Sequence, residues 1–206
     1  MSFRGTASYA TAGAVPPLVA SAVSDAVELG FDLCVRPEIG RLLAVLVGGL
    51  GSDAIVGEAG TGTGAGLGWM VSAARPDVQF VSYELDADRA ASAQRRFADH
   101  PNVTVVAGDA AGLFDHAPFD LLVLDGGPFG GKKPGEQPID PVPLLKAGAT
   151  ITIDDMTPTK QWPPHFEGQV DEPRVHWVEH PSLVATEIDV APDLSVIVGR
   201  YWPRGN

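Results

Sequence analysis

Two sets of residues in this chain stand where they could do chemistry: a ladder of glycines, and acids that close successive apolar runs. The ladder is the clearer of the two. Ile55-Val56-Gly57-Glu58-Ala59 runs directly into Gly60-Thr61-Gly62-Thr63-Gly64-Ala65-Gly66, which reads as a strand ending in a nucleotide-binding turn. Glycines let the backbone take positive φ and lie against a ligand, and the helix that follows presents unpaired N–H groups to it. Four alternating glycines are costly in unfolded-state entropy for a plain turn. Glu84 ends the next apolar run, where an acid can hold ribose hydroxyls. An adenosine-bearing ligand follows.

NAD is one such ligand, because Gly60-x-Gly62-x-x-Ala65 formally fits the dinucleotide fingerprint. Three features point elsewhere. Glu58 stands two residues before Gly60, where dinucleotide enzymes usually place an apolar residue. Gly108-Asp109 closes the third strand with a further acid. The two β-rich runs at the end of the chain, Leu183–Val190 and Leu194–Trp202, form a hairpin around Ala191-Pro192-Asp193 that a dinucleotide fold does not need.

Elements must hold these residues in place, and their order is legible. Strands are expected at Ala54–Val56, Gln79–Tyr83, Val103–Ala107, Phe119–Asp125 and Ala149–Ile153, with helices near Gly66–Ala74 and Ala87–Ala98 between the first three. Alternation of this kind predicts an α/β, Rossmann-like doubly wound sheet, mostly parallel, finished by a C-terminal antiparallel β-hairpin. Ahead of it, Leu18, Val19, Ala22, Val23, Ala26 and Val27 recur at helical spacing after Pro16-Pro17, and a second helix is predicted from Pro37 to Val47. Residues 126–143 are rich in proline and glycine and read as a shaped loop.

Composition narrows the class. The chain has 206 residues, 45% of them hydrophobic, the right size for one domain: an N-terminal helical segment over 1–50 and a cofactor-binding core over 54–206. A net charge of −12 argues against a broad surface for nucleic acid. Cys34 is the one cysteine, which removes internal disulfides and multi-thiolate zinc sites; it reads as a small buried apolar residue. Met1–Ala14 lacks a basic start and an apolar stretch, and the run Leu42–Leu50 is too short to span a membrane. A cytoplasmic protein without membrane association is expected.

Glu58-x-Gly60-x-Gly62-x-Gly64, Glu84, Gly108-Asp109 and Asp125 together resemble the successive motifs of class I S-adenosylmethionine-dependent methyltransferases. Arg36-Pro37-Glu38-Ile39-Gly40-Arg41-Leu42-Leu43, Phe119–Asp125 and Ala147–Asp155 are similar to the catechol O-methyltransferase-like group of that family. The resemblance covers residues 36–155 by motif. It implies that Gly60, Gly62, Thr63, Gly64 and Gly66 lie against the methionine part of the cofactor, and that Glu58 helps position its amino group. Glu84, with Leu85, would hold the ribose, and Asp109 and Ala110 would border the adenine. Asp109 also fits a helix N-cap.

Methyl transfer is an in-line displacement, so an enzyme gains by aligning nucleophile and methyl and by removing the nucleophile's proton. A divalent cation, Mg²⁺, held by carboxylates can lower the pKa of an acceptor hydroxyl. Asp125, Asp154 and Asp155 end neighbouring strands at one sheet edge and make a three-oxygen site, with Asp155 where the family carries asparagine. A metal-free role as loop caps is the other reading of these acids. The chain departs from the family after Asp125, where Gly126-Gly127-Pro128 replaces the usual Asp-x-x-Lys. Lys132 and Lys133 follow later, and Lys132 is the catalytic candidate beside Asp125.

Other motifs are weaker. Gly126-x-x-x-x-Gly131-Lys132-Lys133 imitates a phosphate loop but lacks the Ser/Thr and runs into Pro134. His165 and His176 are further bases, and Trp162, Phe166 and Trp177 could wall a planar substrate. The expected activity is therefore O-methylation of a small acceptor, an aromatic hydroxyl among the choices, with S-adenosylmethionine and Mg²⁺. Metal-independent N-methylation and non-catalytic cofactor binding are the alternatives. A homodimer is a further expectation, with the segment before Pro16 packing across it.

Overall fold

Prolines open the two long helices that lead into the sheet, since a residue without an N–H is best tolerated in a helix's first turn. The computed structural model describes residues 5–125, 128–131 and 136–203. It begins with a helical turn, α1 (Gly5–Ser8), and the helices α2 (Pro17–Glu28) and α3 (Pro37–Gly48). Then β1 (Ile55–Ala59), α4 (Ala65–Ala73), β2 (Gln79–Glu84), α5 (Ala87–Arg96) and β3 (Val103–Ala107) alternate. After β4 (Phe119–Leu124) and β5 (Leu145–Met156) come a two-stranded ribbon, β6 (His165–Phe166) and β7 (Gln169–Val170), and α6 (Glu172–Val178). The antiparallel pair β8 (Leu183–Ala191) and β9 (Leu194–Tyr201) ends the fold.

The main sheet has seven strands in the order β3-β2-β1-β4-β5-β9-β8. β1 to β5 run parallel to their neighbours, and β9 turns antiparallel against β5. All five parallel strands therefore end at one edge, which is where this class of sheet binds ligands. The expected α/β sheet with its terminal hairpin is the one observed.

Alternation along the strands builds a core on each face. Val56, Phe80, Leu121 and Val123 meet α2, α3 and α4 on one side, while Phe119, Leu122, Leu124, Ile151 and Trp177 pack on the other. Helices α3 and α4 approach across Gly40, where a Cβ would sit 2.2 Å from the Trp69 ring.

Boundaries differ from expectation in instructive places. β1 reaches Ala59 and not Val56, because parallel pairing with β2 and β4 continues through Gly57. β5 is longer than Ala149–Ile153 and carries irregularities at both ends. α6 and the β6–β7 ribbon fall where no element was expected. Among the described residues no helix is long and apolar enough to cross a membrane.

Candidate functional site

The glycine ladder folds as a turn pinned from both ends. Gly60 and Thr61 donate their N–H groups to the Tyr83 carbonyl at 2.9 and 3.2 Å, and Gly64 N–H donates to the Thr61 carbonyl at 2.8 Å. Gly62 and Gly64 take φ of 55° and 94°, the left-handed region that side chains resist. Gly66 is required for a different reason: a Cβ there would lie 2.8 Å from Glu58 Oε1. The Thr63 hydroxyl donates to the Ala22 carbonyl at 2.8 Å, tying the turn to α2.

Glu58 lies beneath this turn, 1% exposed. Its carboxylate accepts from the Ser82 hydroxyl, which in turn lies 2.5 Å from the Thr61 hydroxyl. Burial raises its pKa to about 7; the Ser82 hydrogen bond opposes that, and the neighbouring charges of Glu84 and Asp154 add to it.

Glu84 is at the lip. Its Oε2 accepts the Gly62 N–H at 2.7 Å, and its Oε1 accepts the Asp86 N–H at 2.9 Å and Arg89 Nη2 at 2.8 Å. Arg89 in turn stacks over Phe31, with Cζ 4.8 Å from the ring centroid. Arg89 Nε also donates to Oε1 at 3.2 Å, so three of the four donors converge on Oε1 and the Gly62 N–H alone meets Oε2. Arg89 and Phe31 were not foreseen. Arg89 follows the strand-end acid by five residues, a local clue; Phe31 arrives from the α2–α3 connector, which only tertiary structure reveals.

These groups border one cavity of about 340 Å³, within the range of small-molecule sites. The sequence-predicted Gly60, Gly62, Thr63, Gly66, Glu84, Leu85, Asp109, Ala110, Asp125 and Asp155 line it. Glu58 and Gly64 stand behind the turn and do not. Asp109 does two jobs, since its carboxylate also accepts the Ala111 N–H at 2.8 Å as the cap of a short helical turn.

Asp125 and Asp155, which line the cavity, meet Asp154, which is buried and does not line it. Each offers an oxygen within 4.8 Å of those of the other two. Asp125 N–H donates to the Ala59 carbonyl at 3.1 Å, which sets it beside the glycine turn. The other pair stands on a β-bulge: Ile153 pairs with Ile197 and Met156 with Ser195, so two residues of β5 face one of β9. Asp155 takes φ of 60° there, a conformation aspartate tolerates better than most residues. In a regular strand neighbouring side chains alternate faces; the bulge turns both acids toward Asp125.

The wall opposite comes from the α2–α3 connector. Thr6 holds that connector, its hydroxyl donating to the Phe31 carbonyl at 2.7 Å, its N–H to the Asp32 carbonyl at 3.1 Å. The Tyr9 hydroxyl donates to the Val35 carbonyl at 2.8 Å and accepts from Trp69 Nε1 at 3.0 Å. Burial pushes the Tyr9 hydroxyl and the Cys34 thiol up, and the Asp125 charge adds to both. Cys34 is buried, as expected, though at the cavity wall.

Other residues fall away from the cavity. Lys132 and Lys133 lie outside the described residues. His165 is exposed and engages Gln161 Nε2 at 2.6 Å, while His176 packs edge-on against Trp177 and His180. Trp177 is fully buried and donates to the Gly130 carbonyl at 2.9 Å, so it belongs to the core and is not a substrate wall. Trp162 and Phe166 are half exposed.

No family model matches the chain, and no curated protein matches its sequence. Solved structures do match over nearly its whole length. One is the O-methyltransferase TomG of Streptomyces achromogenes, involved in tomaymycin synthesis and solved with S-adenosylmethionine: 21% identity, 97% of each chain, TM-score 0.70. Another is an O-methyltransferase from Bacillus cereus in complex with S-adenosylhomocysteine, at 17% identity over 96% of this chain and 98% of that one, TM-score 0.69. A third is the methyltransferase PaMTH1 of Podospora anserina, bound to S-adenosylhomocysteine, at 16% identity over 95% and 92%, TM-score 0.67. The fold is that of the class I O-methyltransferases.

Proposed function

We propose that this chain is an S-adenosylmethionine-dependent O-methyltransferase acting on a small acceptor with Mg²⁺. The observation that carries the reading is a shared cavity: the glycine turn and Glu84 border one part of it, and Asp125 and Asp155 border another. A cofactor laid along the turn would end beside the acids, where an acceptor oxygen needs to be. Two of the similar structures named above carry S-adenosylhomocysteine and one carries S-adenosylmethionine.

The donor set suits a hard cation. Three carboxylates with oxygens within 4.8 Å of one another need only small side-chain rotations to close on Mg²⁺, whose ligands lie at about 2.1 Å and which completes its shell with water or substrate. Asp125, Asp154 and Asp155 would hold it. When bound, S-adenosylmethionine supplies an electrophilic methyl group and the cation lowers the pKa of a coordinated hydroxyl. The chain's residues do the rest: Glu84, with Leu85, fixes the ribose, Asp109 and Ala110 border the adenine, and the glycine turn admits the methionine part. Lys132 is proposed as the proton acceptor.

Titration calorimetry with S-adenosylhomocysteine and with NAD tests the cofactor: heat with the first and none with the second is expected, and the reverse would sink the reading. A panel of hydroxylated aromatics assayed with Mg²⁺ and then with chelator tests the metal. Loss of turnover on chelation and in Asp154→Ala is expected, with S-adenosylhomocysteine binding retained. Turnover indifferent to both would leave methyl transfer without metal. Lys132→Ala should lower kcat while leaving both affinities unchanged.

A further inference from the structure

The chain leaves the bulge through Met156 and Thr157, and the carbonyls of both are held by side chains from outside β5. Arg174 Nη1 donates to the Thr157 carbonyl at 2.9 Å. The Ser195 hydroxyl lies 3.2 Å from the Met156 carbonyl and also engages Glu187, so its one proton is shared between them. Arg174 itself is 2% exposed and fixed by Asp171 at 3.0 Å and Glu187 at 3.2 Å. A guanidinium buried among carboxylates has little freedom, because leaving either partner strands a charge. The four residues come from α6 with its cap, β8 and β9, and converge within two residues of Asp155.

We propose that Arg174, supported by Glu187 and Ser195, is a positioning residue for the metal ligands. It fixes the exit of the bulge and through it the direction of Asp154 and Asp155. Outer partners of this kind tune metal affinity by orienting the ligands they support. The inference rests on the Mg²⁺ reading of the acid cluster and names what makes that cluster converge. It also accounts for an ionic knot otherwise remote from the cofactor.

Calorimetric titration of Mg²⁺ into the protein loaded with S-adenosylhomocysteine, for wild type, Arg174→Met, Arg174→Lys and Ser195→Ala, tests it. Arg174→Met and Ser195→Ala should lose on the order of tenfold in Mg²⁺ affinity, with S-adenosylhomocysteine affinity within about twofold of wild type. Arg174→Lys keeps a donor for Thr157 and should recover part of the loss. Unchanged Mg²⁺ affinity in the folded variants overturns the inference, and so does an equal loss of affinity for both ligands, which marks general loosening. Should Arg174→Met fail to fold, Ser195→Ala leaves every charge paired and decides alone. A wild type that takes up no Mg²⁺ overturns the metal reading itself, a failure seen without any variant.

Discussion

Beneath the glycine turn, Glu58 has a hydroxyl for company and little water. Its pKa of about 7 lies above its unfolded value of about 4.5, so the folded state binds more protons between those values and stability falls as pH rises through that window. Glu58→Gln, neutral and isosteric, should remove this slope. Urea midpoints from pH 4.5 to 7.5 should show the variant gaining on wild type with pH, by on the order of 2–3 kcal/mol at the upper end. Glu84 sits in a different setting, a carboxylate that accepts from Arg89 and from two backbone N–H groups. Glu84→Ala should weaken S-adenosylhomocysteine binding about a hundredfold by calorimetry, since charge-assisted hydrogen bonds to ribose and the anchor of Gly62 go together. Both acids were legible as positions in the sequence. Their surroundings were not, because the burial of Glu58 and partners such as Ser82 and Arg89 come from other elements.

At the scale of elements, Gly40 sets two rules against each other. Alanine is favoured over glycine in a helix interior by about 1 kcal/mol, yet its Cβ would meet the Trp69 ring, held by its hydrogen bond to Tyr9. Overpacking at a rigid partner typically costs about 1–3 kcal/mol, so Gly40→Ala should destabilise in chemical denaturation; a gain in stability would show that α3 and α4 can part without cost. The strand and helix alternation was readable because period and punctuation are local. The bulge in β5 was not, since it exists only as a mismatch with β9. α6 carries a local signal of its own: Asp171-Glu172-Pro173 is a capped, proline-led start, and Asp171 accepts the Arg174 N–H at 3.2 Å.

At the scale of the molecule, a ligand that binds only the folded chain adds its binding energy to stability. S-adenosylhomocysteine at about 100 times its Kd should contribute about 2.7 kcal/mol, and for a chain of this size raise Tm by roughly 5–10 °C in a thermal melt; NAD should leave Tm unmoved. The fold class followed from the order of elements, and the cofactor from acids at strand ends that the sheet brings to one edge. What no pattern revealed was the opposite wall, since Phe31, Leu33, Cys34 and Val35 belong to no motif. That wall hangs from Thr6, twenty-five residues upstream of the Phe31 carbonyl it grips. A protease nick or an intrusive tag at the start of the chain would thus be felt as cofactor retention lost from a sheet still intact, and residence time would report it before any melting curve did.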